Sequence, residues 1–314
     1  MSSASASGGG PAILCAGIIV LDEVFRLERF PPPGGKTPAQ EVFSVNGGCA
    51  ANAAVAIARL GGRARLAGPL GGPAGEDPYG DRVLAALARE RVDCSGCQRL
   101  LGVASPISAI FLDRSGERMI ATYRDPRLAA ASPADPRRLV ASVDAVLLDN
   151  RYPQFVRPIG AAARARGVPV VLDADRPTEV ADELFRMATH VVFSGECLRA
   201  TSGREELGSG LEVIAAVTRS FLAVTDGPRD VLWRDGASLK RCPVFAVKAV
   251  DTLAAGDVFH GAFTLALAEG REIAAGLRFA AAAASLKCAR LGGGAAAPRR
   301  HEVEHLLAQQ PPTG

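Results

Sequence analysis

The sequence predicts an α/β domain of Rossmann-like type, with a central, mostly parallel sheet flanked by helices and a small β-sheet lid. Three observations predict it. From residue 145 onward, short apolar runs alternate with helical stretches, the pattern of a parallel sheet covered on both faces. Hydrophobic residues reach 48% while aromatics are only 5%, so a large core can form but must be built from Ala, Val and Leu. Two stretches, at about 25–46 and about 106–125, break the alternation with extended runs. They suit a lid over the carboxyl ends of the strands, where open α/β sheets bind ligands.

Residues 12–17 read as a buried strand that 18–22 continue, delivering the carboxylate of Asp22 at its end. Residues 40–44 regain strand alternation. Residues 47–60 read as an Ala-rich helix stopped by Gly61-Gly62. A strand at 64–68 and an amphipathic helix at 81–92 follow. The runs 107–112 and 119–123 flank Asp113-Arg114-Ser115-Gly116-Glu117, a hairpin signal. Strands are then expected at 145–148, 168–173, 190–193 and 222–225, with helices at 156–166, 179–187 and 212–220 between them. A hairpin at 231–233 and 239–247, a β-prone run at 244–250, and helices at 259–267, 273–290 and 301–309 complete the chain. Residues 12–300 make one domain, and 1–11 a flexible leader without the charged start and apolar core of a signal peptide.

The formal net charge is +3 with no basic stripe, which argues against nucleic-acid binding. No apolar run reaches membrane-spanning length. Seven scattered cysteines indicate a reducing, cytoplasmic setting. Cys94-Ser95-Gly96-Cys97 lacks the second pair that zinc would need.

The most informative stretch is Asp251-Thr252-Leu253-Ala254-Ala255-Gly256-Asp257 followed by an apolar helical run. It reads as strand, tight turn, helix. Small residues let backbone approach a ligand, and free N–H groups at a helix start bind an anion. Asp257 falls in the first helical turn. There it either caps the helix or takes a proton from a hydroxyl that attacks phosphorus.

This stretch resembles the second signature of the ribokinase-like (PfkB) carbohydrate kinases, Asp-Thr-x-Gly-Ala-Gly-Asp. Ala254 stands where Gly is usual, which implies that position 254 need not adopt a glycine-only conformation. Gly47-Gly48-Cys49-Ala50-Ala51-Asn52 resembles the first signature, Gly-Gly-x-x-x-Asn. Val224-Thr225-Asp226-Gly227 resembles the nucleotide loop, although Asp230 replaces its second glycine. The resemblance spans about 12–300 and implies the ribokinase fold. It implies that Asp257 is the catalytic base and that backbone N–H groups of Ala254, Ala255 and Gly256 hold the developing charge. Asp22, Gly47, Gly48 and Asn52 would hold the sugar, and Thr225 and Gly227 the nucleotide. The segment 282–297 fits the helix and loop that line the adenine pocket. ATP and Mg2+ are the implied cofactors, and in many relatives the Asp251 region also frames a K+ site. The magnesium-positioning acid is left open, because Glu196 lies one residue early for the usual Asn-x-x-Glu.

Gly35-Lys36, Asn150-Arg151, 258–262 and 285–288 further resemble sulfofructose kinase and, more distantly, ketohexokinase. In the former, a Lys and an Arg at the positions of Lys36 and Arg151 clasp the sulfonate, while Thr122 stands where an Asn assists. The resulting expectation is an ATP-dependent sugar kinase acting on a primary hydroxyl of a ketose or sugar derivative, with sulfofructose and fructose as candidate acceptors. The alternatives are a nucleoside kinase and a non-catalytic sugar-binding regulator. A homodimer through lid edges is the expected assembly.

Overall fold

The computed structural model describes residues 9–114 and 117–310. Of the leader, 1–8 lie outside the described residues, as do Ser115 and Gly116 of the hairpin signal and the tail 311–314.

The large sheet has eight strands. In chain order they are β1 (Ala12–Ala16), β4 (Arg63–Ala67), β9 (Ala145–Asp149), β10 (Val170–Ala174), β11 (His190–Ser194), β12 (Phe221–Asp226), β13 (Arg229–Asp235) and β14 (Ser238–Cys242). Their spatial order is β14-β13-β12-β11-β10-β9-β1-β4. Pairing is parallel from β4 through β12 and antiparallel for β13 and β14. Successive side chains point to opposite faces. Ile13, Cys15, Leu147, Val171 and Val192 therefore join one apolar layer. Leu14, Ala16, Leu148, Leu172 and Phe193 join the other.

The first layer is covered by α1 (Cys49–Arg59), α8 (Ala255–Ala268) and α9 (Ile273–Cys288). The short α10 (Arg300–Gln309) packs beside α9. The second layer is covered by α4 (Pro153–Ala165), α5 (Glu183–Met187), α6 (Gly195–Ser202) and α7 (Leu207–Ala215). Elsewhere lie α2 (Pro78–Arg89) and α3 (Pro136–Val140). The prevalence of alanine has a packing consequence: α1 and α8 approach so closely that a Cβ on Gly261 would sit 2.7 Å from the carbonyl oxygen of Ala53. This contact holds the two helix starts side by side.

The lid is a separate four-stranded sheet of order β3-β2-β7-β8. It comprises β2 (Val20–Arg26), β3 (Glu41–Gly47), β7 (Ile107–Leu112) and β8 (Arg118–Tyr123). A pair the sequence did not suggest, β5 (Pro69–Gly72) and β6 (Gln98–Leu101), forms a third, small sheet.

Several sequence expectations need correction. Residues 18–22 do not continue β1. The chain turns at Gly17, whose N–H bonds Ala67 O at 3.0 Å, and Asp22 belongs to the lid strand β2. The run 244–250 is not a strand. β14 ends at Cys242, Pro243 offers no N–H to a ladder, and within 243–249 only Phe245 is buried. α7 begins upstream of the expected 212 because Glu206 caps it, accepting from Gly208 N at 2.8 Å and Ser209 N at 2.6 Å. The expected helix at 179–187 starts only at Glu183, after the Asp182 cap. α6 was not anticipated.

Candidate active site

The carboxyl ends of the parallel strands, the start of α1 and the start of α8 meet at one place. Asn52 Nδ2 donates to Asp257 Oδ2 at 2.7 Å, across 205 residues of sequence. Asn46 Nδ2 donates in turn to Asn52 Oδ1 at 2.9 Å. The two motif segments thus converge, and Asn52 aims one amide donor at the carboxylate of Asp257. Asp257 is not the cap of α8. That position belongs to Ala254, with no side-chain cap bond.

Ala254 adopts φ 64, ψ 13, a left-handed conformation. The position is thus not glycine-only, as the alanine implies, but it is strained for any residue with a Cβ. The strain costs about 1–2 kcal/mol and persists because the surroundings impose it. The turn exposes Gly256, where an added Cβ would meet no heavy atom within 4 Å. At a helix start the N–H groups of Gly256 and Asp257 have no intrahelical partner, so they can face an anion. Ala255 N–H instead reaches Thr252 O at 3.3 Å.

At the start of α1, Gly48 is the N-cap with φ 92, ψ 138. A Cβ there would lie 2.4 Å from Ile18 O, and one on Gly47 would lie 2.0 Å from Asp22 Oδ2. Both glycines make room, Gly48 for backbone and Gly47 for the carboxylate of Asp22. Asp22 is buried and lies opposite Ser108 in the lid. Burial pushes its carboxyl up to about 6, with the Ser108 hydrogen bond opposing and the charge of Asp257 adding. Ser108 Oγ lies 3.0 Å from Thr122 Oγ1, so Asp22, Ser108 and Thr122 form a polar row across β2, β7 and β8.

The site holds more carboxylates than the sequence reading named. Asp149 ends β9 and accepts from Ile18 N at 2.7 Å, Ala50 N at 3.3 Å and Arg151 N at 2.9 Å, tying β1, α1 and β9 together. Burial raises its carboxyl to about 6. Asp173 is the next-to-last residue of β10, and burial, reinforced by Asp257, Asp175 and Asp149, pushes it well above the carboxylate range. Its Oδ1 is buried and lies 3.5 Å from His260 Nε2. Asp257 is raised as well, by burial first, with the Asn52 bond opposing. A carboxylate at the end of a parallel strand was the available signal for Asp149 and Asp173.

Of the remaining expected residues, Arg151 adjoins this carboxylate cluster. Arg151 makes an ion pair with Asp175. Lys36 is exposed in the segment before β3 and makes no ion pair with another described residue. Thr225 Oγ1 donates to Phe193 O at 3.4 Å, and Gly227 turns the chain at φ 60. Beside them, Asp226 is held by Arg199 and Arg229 at 2.9 and 2.7 Å. Glu196 is exposed in the first turn of α6. Cys49, Asp173 and Asp257 place donor atoms within 4.8 Å of one another. They do not fit a resident magnesium. Burial holds the Cys49 thiol protonated, and magnesium prefers oxygen ligands. Among the described residues no helix is long and apolar enough to cross a membrane.

Comparison with known proteins gives a consistent result. The model of the pfkB family of carbohydrate kinases matches residues 11–300. Ribokinase of Bacillus subtilis is 28% identical over 299 residues, covering 94% of this chain and 99% of that protein. A crystal structure from Agrobacterium tumefaciens, provisionally assigned as a ribokinase, superposes with a TM-score of 0.91 at 39% identity, covering 96% of this chain and 98% of that one. Ribokinase of Thermotoga maritima gives 0.80 at 27% identity, covering 95% and 99%. The neighbours share the mixed α/β architecture, and the chain belongs to the pfkB family and is a carbohydrate kinase.

Proposed function

We propose that this kinase transfers the γ-phosphoryl group of ATP to a primary hydroxyl of a neutral sugar, a pentose or a ketose. The observation that carries the reading is the 2.7 Å bond from Asn52 to Asp257, which joins the sugar-binding and phosphate-binding segments in one site. In this reading Asp22, Gly47, Gly48 and Asn52 hold the sugar. Asp257 accepts the hydroxyl proton as the oxygen attacks phosphorus. Ala254, Ala255 and Gly256 shape the turn that takes the developing charge, Gly256 with the freest N–H. Each preorganised donor of this kind contributes about 2.7–4 kcal/mol to the barrier reduction. Thr225 and Gly227 border the nucleotide. Magnesium arrives with the nucleotide phosphates and neutralises their charge. Closure of the lid excludes water as a competing acceptor.

The electrostatics support a neutral acceptor. An anionic sugar such as sulfofructose needs Lys36 and Arg151 free to clasp it. Arg151 is already paired with Asp175, and Asp22, Asp149, Asp173 and Asp257 crowd the same cleft. The relatives in B. subtilis and T. maritima are ribokinases, which supports ribose beside fructose. Pairing of two copies through the lid is part of the proposal. β8 is an edge strand with Met119, Ile120 and Tyr123 exposed.

An ADP-release assay over ribose, fructose, sulfofructose and a set of nucleosides tests the reading. Turnover on ribose or fructose is expected. Preference for sulfofructose would restore the anionic-sugar reading, and preference for nucleosides would make this a nucleoside kinase. Sugar-induced thermal stabilisation without any turnover would indicate a non-catalytic regulator.

A further inference from the structure

The last turn of α9 carries a lysine where the rest of the helix is mostly alanine and leucine. Lys287 is fully buried, with 0% of its side chain exposed. Its Nζ donates to the backbone oxygen of Asp251 at 2.7 Å and to Asp251 Oδ2 at 2.9 Å, and reaches Arg290 O at 3.4 Å. Oxygens from two chain segments thus converge on one positive charge, the arrangement a hard monovalent cation would require.

The cage is wired to the active site by two routes. Asp251 Oδ1 accepts from Leu253 N at 2.8 Å, one residue before the left-handed Ala254 that starts α8. Asp251 Oδ2 accepts from Gly292 N and Gly293 N, both at 3.1 Å. The next residue, Gly294, packs directly on Asn52, where a Cβ would come within 2.2 Å of Asn52 Oδ1. Val250 N and Asp251 N close the join by bonding Cys288 O at 2.7 and 3.1 Å. The ammonium therefore stands behind both the phosphate-binding turn and the amide that steers Asp257.

A buried ion pair is rarely the most stable solution, because apolar side chains of similar volume avoid the desolvation cost. Its use here is positional. A K+ ion, which the family resemblance implies near Asp251, does not fit this chain. The oxygens that would coordinate it already face Nζ, and a second cation in contact would be repelled.

Resting on the kinase reading above, we infer that Lys287 is a positioning residue whose tethered ammonium replaces a free monovalent cation, holding the 251–257 turn in its phosphate-binding shape. The test assays kcat and sugar KM of the wild type with MgATP in potassium, sodium or tetramethylammonium chloride at equal ionic strength. Wild-type kcat is expected to be the same in all three, and turnover itself checks the kinase reading separately. Activation of the wild type by potassium would overturn the inference. Lys287→Ala removes the ammonium and leaves space beside the oxygens. Its kcat should fall about 10²-fold, the scale of losing one preorganised donor, with sugar KM little changed. Added ammonium or potassium should restore part of that loss saturably, and tetramethylammonium should not. A folded Lys287→Ala protein with wild-type kcat, or with a loss that no small cation restores, would also overturn it. If the variant does not fold, as judged by circular dichroism, the wild-type salt series decides alone.

Discussion

The two helix starts that build the site solve one problem in different ways. Both α1 and α8 begin on a residue with positive φ and without a side-chain cap of its own. Asp149 takes the Ala50 N–H at α1, whereas at α8 the N–H groups of Gly256 and Asp257 have no intrahelical partner. At α1 the residue is Gly48, at φ 92 and ψ 138, hard against Ile18 O. No residue with a Cβ fits there. At α8 it is Ala254, at φ 64 and ψ 13, in the small left-handed basin that other residues can enter at a cost. One start is fixed by steric exclusion. The other is strained and is held by a network behind it, Asp251 to Leu253 N and Lys287 to Asp251. In the proposed reading, the sugar side has a preformed wall and the phosphate side a tensioned turn.

The sharpest way to break this comparison is at the α8 start. Asp257→Asn keeps the shape of the side chain and removes the proposed base. Turnover should fall about 10²–10⁴-fold, while nucleotide affinity, measured by calorimetry, changes little. Near-normal turnover would remove Asp257 from the chemistry.

Gly48→Ala tests the α1 start. The Cβ collides with Ile18 O and forces a backbone conformation that L-residues rarely adopt. The expected loss is about 2–5 kcal/mol of stability, read by chemical denaturation. A loss below about 1 kcal/mol would show that the wall yields.

Two changes at Ala254 sharpen the contrast. Ala254→Val adds a β-branched side chain at positive φ and bulk at the anion site, so kcat should drop more than sugar affinity does. Full activity in that variant would mean that phosphate does not lie against this turn. Ala254→Gly is the smallest effect. It relieves about 1–2 kcal/mol of left-handed strain, and the greater unfolded-state freedom of glycine offsets about 0.5–1 kcal/mol of that gain. A net stabilisation near 1 kcal/mol is expected, and destabilisation would show that the strain is not there.

What could be read in the sequence follows from how local each signal is. The turn at 251–257 and the Gly-Gly helix start at 47–52 are short segments whose chemistry depends on residues beside one another, and the structure brings them together. Most of the large sheet was visible because each buried strand is a short apolar run. Asp22 was assigned to the wrong strand because 12–22 is almost unbroken apolar sequence, and hydrophobicity alone does not show that the chain turns at Gly17. The 244–250 run has β-prone residues but no partner strand, and pairing is a tertiary fact. Arg151 read as a free cation because its partner, Asp175, lies 24 residues away. Lys287 carried no sign of a positional role in the sequence, because its acceptor Asp251 lies 36 residues upstream. Long-range polar pairs leave no local pattern.

The central claim is that the carboxylate of Asp257, steered by the Asn52 amide, is the base that both helix starts serve. The most direct measurement is the acidic limb of kcat/KM against pH for the wild type and Asn52→Ala, with sugar and MgATP at concentrations that report the free enzyme. Burial raises the Asp257 carboxyl above its ordinary value, and the Asn52 bond opposes that shift by favouring the anion. Activity should therefore rise with pH through a midpoint above the ordinary carboxylate range. Removing the Asn52 donor should move that midpoint to higher pH, because the anion loses a stabilising bond. A limb at the same pH in both proteins would contradict the account.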